Sequence, residues 1–161
     1  MAIDETVSYR IDLNVALMIW NNACGQGSAP FALVPGHAIE RYDSSHERPL
    51  ERILLPDWTA FEEDRVQWDH HDFARLLGLA NITPSLPLVL VTDEGLRDRC
   101  AFRFINSDFP GFVSWYEGTY RMDFFQSADY LIFDERLDFL RILHHEGALF
   151  RNPRSFDPHR G

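Results

Sequence analysis

Lysine is absent from this sequence. All 15 residues in the Lys+Arg count are arginines, and they stand against 25 acids, for a formal net charge of −10 over 161 residues. Such a balance disfavours binding to nucleic-acid backbones, which needs clustered cations. The choice of arginine over lysine reads as the coding bias of a GC-rich bacterial genome rather than as chemistry. Cysteine is scarce as well. Cys24 and Cys100 form neither a CxxC pair nor a cluster, and they read as small buried hydrophobes in a reducing setting. No apolar run approaches the roughly 20 residues of a membrane-spanning helix. The opening "MAIDETVSYR" carries two acids and no basic region ahead of an apolar one, so no signal peptide is expected and the expected location is the cytoplasm.

Catalytic signatures are missing too. Neither GxSxG nor a Cys–His pattern occurs, and "GQGSAP" has no following lysine and no preceding strand, unlike a phosphate-binding loop. No internal repeat and no low-complexity linker divides the chain. What is abundant is apolar and aromatic surface: 45% hydrophobic residues, with 13 Phe and 4 Trp. That excludes general disorder. The expectation is a single α+β domain over residues 1–152, followed by an extended tail over 153–161. The sheet is expected to be small and antiparallel, with a C-terminal hairpin or meander and with helices packed on one face.

Local patterns supply the elements. In "DLNVALMIWNNACG", Leu13, Ala16, Leu17 and Trp20 recur at helical spacing between a capping Asp12 and Gly25, which predicts a helix over 13–24. Residues 26–56 are broken repeatedly by "GQGSAP", Pro35-Gly36, "YDSSHERP" and Pro56, leaving one short strand over 31–34. Two helices are predicted next. "DWTAFEEDRVQW" aligns Trp58, Phe61 and Arg65, and "DHHDFARLLGLA" aligns Phe73, Leu76, Leu77 and Ala80. "LPLVLV" (86–91) reads as a buried strand followed by a turn at "TDEG", and "CAFRFI" (100–105) as its antiparallel partner. "FPGFVSWYEGTYRMDFF" is predicted to be helical in part, with Pro110 near its start. In "DYLIFDERLDFLRILHHEGALF" (129–150), two apolar runs flank Asp134, Glu135 and Arg136 as a tight hairpin would. Phe139, Arg141 and Leu143 face one way along the second run, and Leu140, Ile142 and His144 the other. "HHEG" then turns into a third strand at 148–150.

Two histidine-bearing motifs invite a metal. At "HHEG", neighbouring strand residues point to opposite faces, so His144 and His145 are not expected to share an ion; the HExxH pattern also fails. At "DHHD", Asp69 and Asp72 sit three apart in a first helical turn, where N-capping is the preferred reading over a divalent site. The aromatics crowded into 102–125 read as core packing rather than as a base-stacking platform.

The hairpin stretch 129–150 resembles the closing hairpin of small bacterial proteins encoded beside polymorphic toxins. The whole chain, acidic, α+β and without catalytic motifs, is similar to immunity proteins of contact-dependent inhibition systems. That resemblance implies a non-enzymatic protein without cofactor or metal that neutralises a cognate toxin domain, often a nuclease, by covering its active site or substrate cleft. An acidic surface would then steer association with a basic partner. The acids densest in sequence are Glu62, Glu63, Asp64, Asp69 and Asp72, with Trp58 or Trp68 as an aromatic anchor. Two other readings stay open. One is a metal-assisted hydrolase using Asp69, His70, Asp72 and His144 or His145; the other is an adaptor or chaperone for a secreted effector.

Overall fold

Both faces of the central strands are apolar, and that decides the architecture. The computed structural model describes residues 8–24, 33–55, 58–63, 68–126 and 128–153, with the Glu62 side chain left out. The 153–161 tail therefore lies almost wholly outside the described residues, as do Gly25, Asp64 and Arg65. Seven strands form one antiparallel sheet: β1 (Arg10–Asp12), β2 (Glu51–Leu54), β3 (Pro87–Thr92), β4 (Cys100–Ile105), β5 (Tyr130–Phe133), β6 (Leu140–His144) and β7 (Ala148–Arg151). Their order across the sheet is β1-β4-β3-β5-β6-β7-β2. The class is α+β, and the C-terminal meander β5-β6-β7 is present.

The helices do not share one face. Leu88 and Leu90 of β3 point into a cluster with Phe102, Ile132 and Leu143, covered by α3 (Trp58–Glu62), α4 (His70–Leu77) and α6 (Phe109–Tyr120). Val89 and Val91, one residue out of phase, join Leu131, Phe133 and Ile142 on the opposite side, under α1 (Leu13–Cys24) and α2 (Pro35–Ser45). The expectation of a one-sided helical layer fails because strands that are apolar at every position must be covered on both sides. Cys24 and Cys100 are free and buried in these two separate clusters, so the sheet stands between them.

α1 matches its predicted span, and Asp12 accepts the Asn14 backbone N–H at 2.7 Å as an N-cap would. α2 was not anticipated. "PGHAIERYDSS" contains a Pro-Gly pair, yet Pro35 occupies the first helical turn, where a missing N–H costs nothing. Pro35, Ala38 and Tyr42 then recur on one buried face. The predicted strand at 31–34 does not form at its described end, where Leu33 and Val34 lead into α2. "TDEG" is more than a turn. Thr92 accepts the Gly95 N–H at 3.1 Å and caps a short helix, α5 (Asp93–Arg97).

The β5–β6 connection is longer than a tight hairpin, because the ladder closes at Phe133↔Leu140. Buried Asp134 accepts the Phe139 N–H at 2.9 Å, while Leu137 takes a positive φ. The β6–β7 turn is tight, with the Gly147 N–H donating to the His144 carbonyl at 2.9 Å. Gly147 has φ +89°, and a Cβ built there would meet the Trp58 ring at 2.5 Å. Gly147→Ala should therefore combine left-handed strain with a clash against a buried indole and cost about 2–4 kcal/mol. Chemical denaturation of the variant measures this; a loss below about 1 kcal/mol would show that Trp58 yields easily.

Candidate functional site

α4 is placed by its two ends. Asp69 is its N-cap, with its Oδ1 accepting from the His71 and Asp72 backbone N–H groups at 3.0 Å each. Asp72 returns the bond by accepting the Asp69 N–H at 3.1 Å, closing a capping box. Asp72 also meets Arg75 at 2.7 Å. At the other end Gly78 adopts the left-handed conformation, and the Arg141 Nε on β6 donates to the Leu77 carbonyl at 3.0 Å. The backbone N–H groups of Asp72 and His71 hold the Asp69 carboxyl below its ordinary value of 3.8, the Asp72 bond contributing most. The capping reading of "DHHD" is thus the one its geometry realises.

α6 forms the opposite wall. Tyr116, fully buried, donates to Glu94 and lies 2.9 Å from the Thr92 hydroxyl. Burial first, then the Glu94 contact, pushes its phenol far above the ordinary value. The aromatics of 102–125 are packing groups, as expected: Phe102, Phe104, Phe112, Tyr116 and Phe124 meet one another at centroid separations between 4.8 and 5.7 Å.

Between these walls lies an open groove of about 320 Å³. Phe61 and Trp68 stack at 4.5 Å with planes 10° apart, and Phe125 adds a third ring. Asp69, Glu117 and Asp123 bring carboxylates to the same groove, and no arginine lies among its described lining residues. Three aromatic rings beside three acids suit a cationic side chain, which gains both ion pairing and contact with ring faces.

Compared with the acids and aromatics proposed from sequence, only part of the set converges. Trp68 and Asp69 line the groove. Trp58 is 5% exposed and packed beside Phe61, Trp68 and Gly147, so it supports the groove from beneath and offers no anchor to a partner. Glu63 is exposed on the turn after α3, and Asp72 is committed to its capping box and Arg75. Asp64 and the Glu62 side chain lie outside the described residues. Glu117 and Asp123 were missed, since neither falls in an acid-rich run and only the α6 fold brings them to Asp69.

A second convergence contradicts an expectation. His144 and His145 do come together, with ring centroids 4.2 Å apart. β6 ends at His144, so strand alternation no longer governs His145, which belongs to the turn. Asp129, just ahead of β5, accepts the His145 backbone N–H at 2.7 Å and lies 3.0 Å from the His145 Nδ1. That hydrogen bond raises the His145 pKa above its ordinary value.

No protein-family model, curated protein or solved structure matches the chain. Its chemistry is therefore read from these two clusters alone. No helix among the described residues is long and apolar enough to cross a membrane.

The depressed Asp69 pKa has a definite sign. The unfolded chain holds the proton more tightly, so the cap stabilises fully above the ordinary carboxylate value and is lost as pH falls through the lower folded value. Asp69→Ala should lower the melting temperature at pH 7, Asp69→Asn should retain most of it, and both should flatten the acid side of the stability profile. Calorimetry from pH 2 to 7 tests this; an unchanged acid limb would mean the cap contributes nothing.

Proposed function

We propose that this protein is a cytoplasmic, non-catalytic inhibitor of the immunity class, which binds a basic toxin domain and covers its substrate cleft. The observation that carries the proposal is the groove between α3–α4 and α6, which Asp69, Glu117 and Asp123 line together with the stacked Phe61 and Trp68. A nuclease cleft presents arginine and lysine to phosphate, and an acidic groove with an aromatic floor takes those side chains in place of the nucleic acid. The formal charge of −10 adds long-range attraction to such a partner and repels phosphate backbones. Glu63, exposed on the turn after α3, adds negative charge two residues from Phe61, and Glu62 and Asp64 are its neighbours in sequence. Specificity comes from the groove, since a charged face without shape would accept any cation.

Co-expression with the product of the gene immediately upstream provides the test. The expected result is rescue of growth together with a complex whose association slows as ionic strength rises. Asp123→Arg should weaken that complex by at least about tenfold, the equivalent of roughly 1.4 kcal/mol, because it puts a cation where the partner's cation docks. A complex without rescue would replace inhibition by an adaptor role, and a complex indifferent to Asp123→Arg would move the interface elsewhere.

A further inference from the structure

We propose that Asp129, His144 and His145 form a binding site for a single divalent transition-metal ion of the zinc class, clipping the β6–β7 turn to the chain that leads into β5. One ligand atom from each of the three residues can be chosen such that all lie within 4.8 Å of one another, close enough to converge on one ion with little adjustment. Two imidazole nitrogens and one carboxylate oxygen favour zinc, cobalt, nickel or copper over magnesium or calcium, which prefer all-oxygen shells. Three protein ligands leave at least one position of a four-coordinate ion for water.

The backbone already holds these groups in place, so little order has to be created when an ion arrives. Asp129 is tied to the turn through the His145 N–H, and the neighbouring Tyr130↔Leu143 pair closes this end of the β5–β6 ladder. The turn itself is fixed by the Gly147–His144 hydrogen bond and by Trp58 packed against Gly147. The surroundings are rich in negative charge. Glu146 brings a second carboxylate, 3.9 Å from the His144 Nδ1. A cation offsets that charge. On binding, the ion takes the place of the proton between Asp129 and His145, and that proton leaves to solvent. None of the three ligands lines the groove of the proposed inhibitor surface, so this site stands or falls separately from that function.

The test is titration of the untagged, metal-free full chain with zinc by calorimetry and with cobalt by visible absorption. The expected result is one equivalent of either metal, with a cobalt spectrum showing nitrogen and oxygen ligation in a low-coordinate site. His144→Gln, His145→Gln and Asp129→Asn should each weaken binding by at least about tenfold, since even residues behind the ligands carry 10- to 100-fold effects. His145 is largely exposed, so its variant keeps the fold, and circular dichroism checks all three. The double variant His70→Gln/His71→Gln removes the other adjacent histidine pair and should bind as the parent does. A parent protein that takes up no zinc or cobalt overturns the proposal. So does binding that survives all three ligand variants, or that disappears with His70 and His71.

Discussion

Everything in this molecule is arranged around strands that have no polar face. β3 and β5 are buried at nearly every position, from Leu88 to Thr92 and from Tyr130 to Phe133. A sheet of this kind cannot leave one side to water, because each exposed Leu, Ile or Phe would forfeit about 1.5–3 kcal/mol of burial. Two helical layers follow, and they differ in kind. The α1–α2 side is packed by aliphatic residues around the edge-to-face pair Trp20 and Phe133, 5.2 Å apart. The other side is an aromatic lattice in which Phe73, Phe102, Phe112, Tyr116, Phe124 and Tyr130 interlock. Rings that meet edge to face have fixed geometry, so this second layer can hold groove walls at a set spacing.

Apolar packing fixes depth, and polar tethers fix position along the sheet. Arg141 reaches from β6 to the last carbonyls of α4 at Leu77, with its guanidinium 4.3 Å over the Phe139 ring. Buried Asn106 donates to the Leu79 carbonyl at 2.9 Å and so locks the turn after α4 to the end of β4. The Tyr130 hydroxyl donates to the Phe124 carbonyl and accepts the Gln126 N–H, which pins the loop carrying Asp123 and Phe125. Each tether satisfies backbone groups that would otherwise be buried without partners. Together they hold α4 and the segment after α6 on opposite sides of one groove.

Regular, local features of this fold were legible in the sequence. The α1 span, β4 and the facing pattern of β6 all follow from periodicity within a few residues. Less was legible where one residue admits two readings. Pro35-Gly36 looks like a break, yet proline in a first helical turn starts α2 instead. The charged residues Asp134, Glu135 and Arg136 suggested a short turn, whereas a buried Asp134 organises a longer loop. The one-sided helical layer was an inference from the order of strands and helices, and it failed because "LPLVLV" and "YLIF" carry no polar alternation to mark a wet face. At the sites the same limit appears. Asp69 and Trp68 were visible as neighbours in sequence; Glu117 and Asp123 were not, because their connection to Asp69 exists only through α6 packing. His145 was misplaced by extending strand alternation one residue past the end of β6.

This difference between sequence density and spatial convergence bears on how charge is used. Acids crowded in one short segment repel one another, and folding spends several of them on local duties. Asp69 offsets the positive end of α4, and Asp72 closes the box and meets Arg75. Such groups still contribute to the protein's negative field, and Asp69, though held by its own backbone, also lines the groove. Carboxylates from separate elements also share the groove, Asp69 from the start of α4, Glu117 from α6 and Asp123 from the loop after it. Among the described residues, only there do three acids and the Phe61–Trp68 stack line one surface. In the inhibitor role proposed above, the long-range field of the chain would set how fast a basic protein arrives, while the groove would set which cation on it can dock.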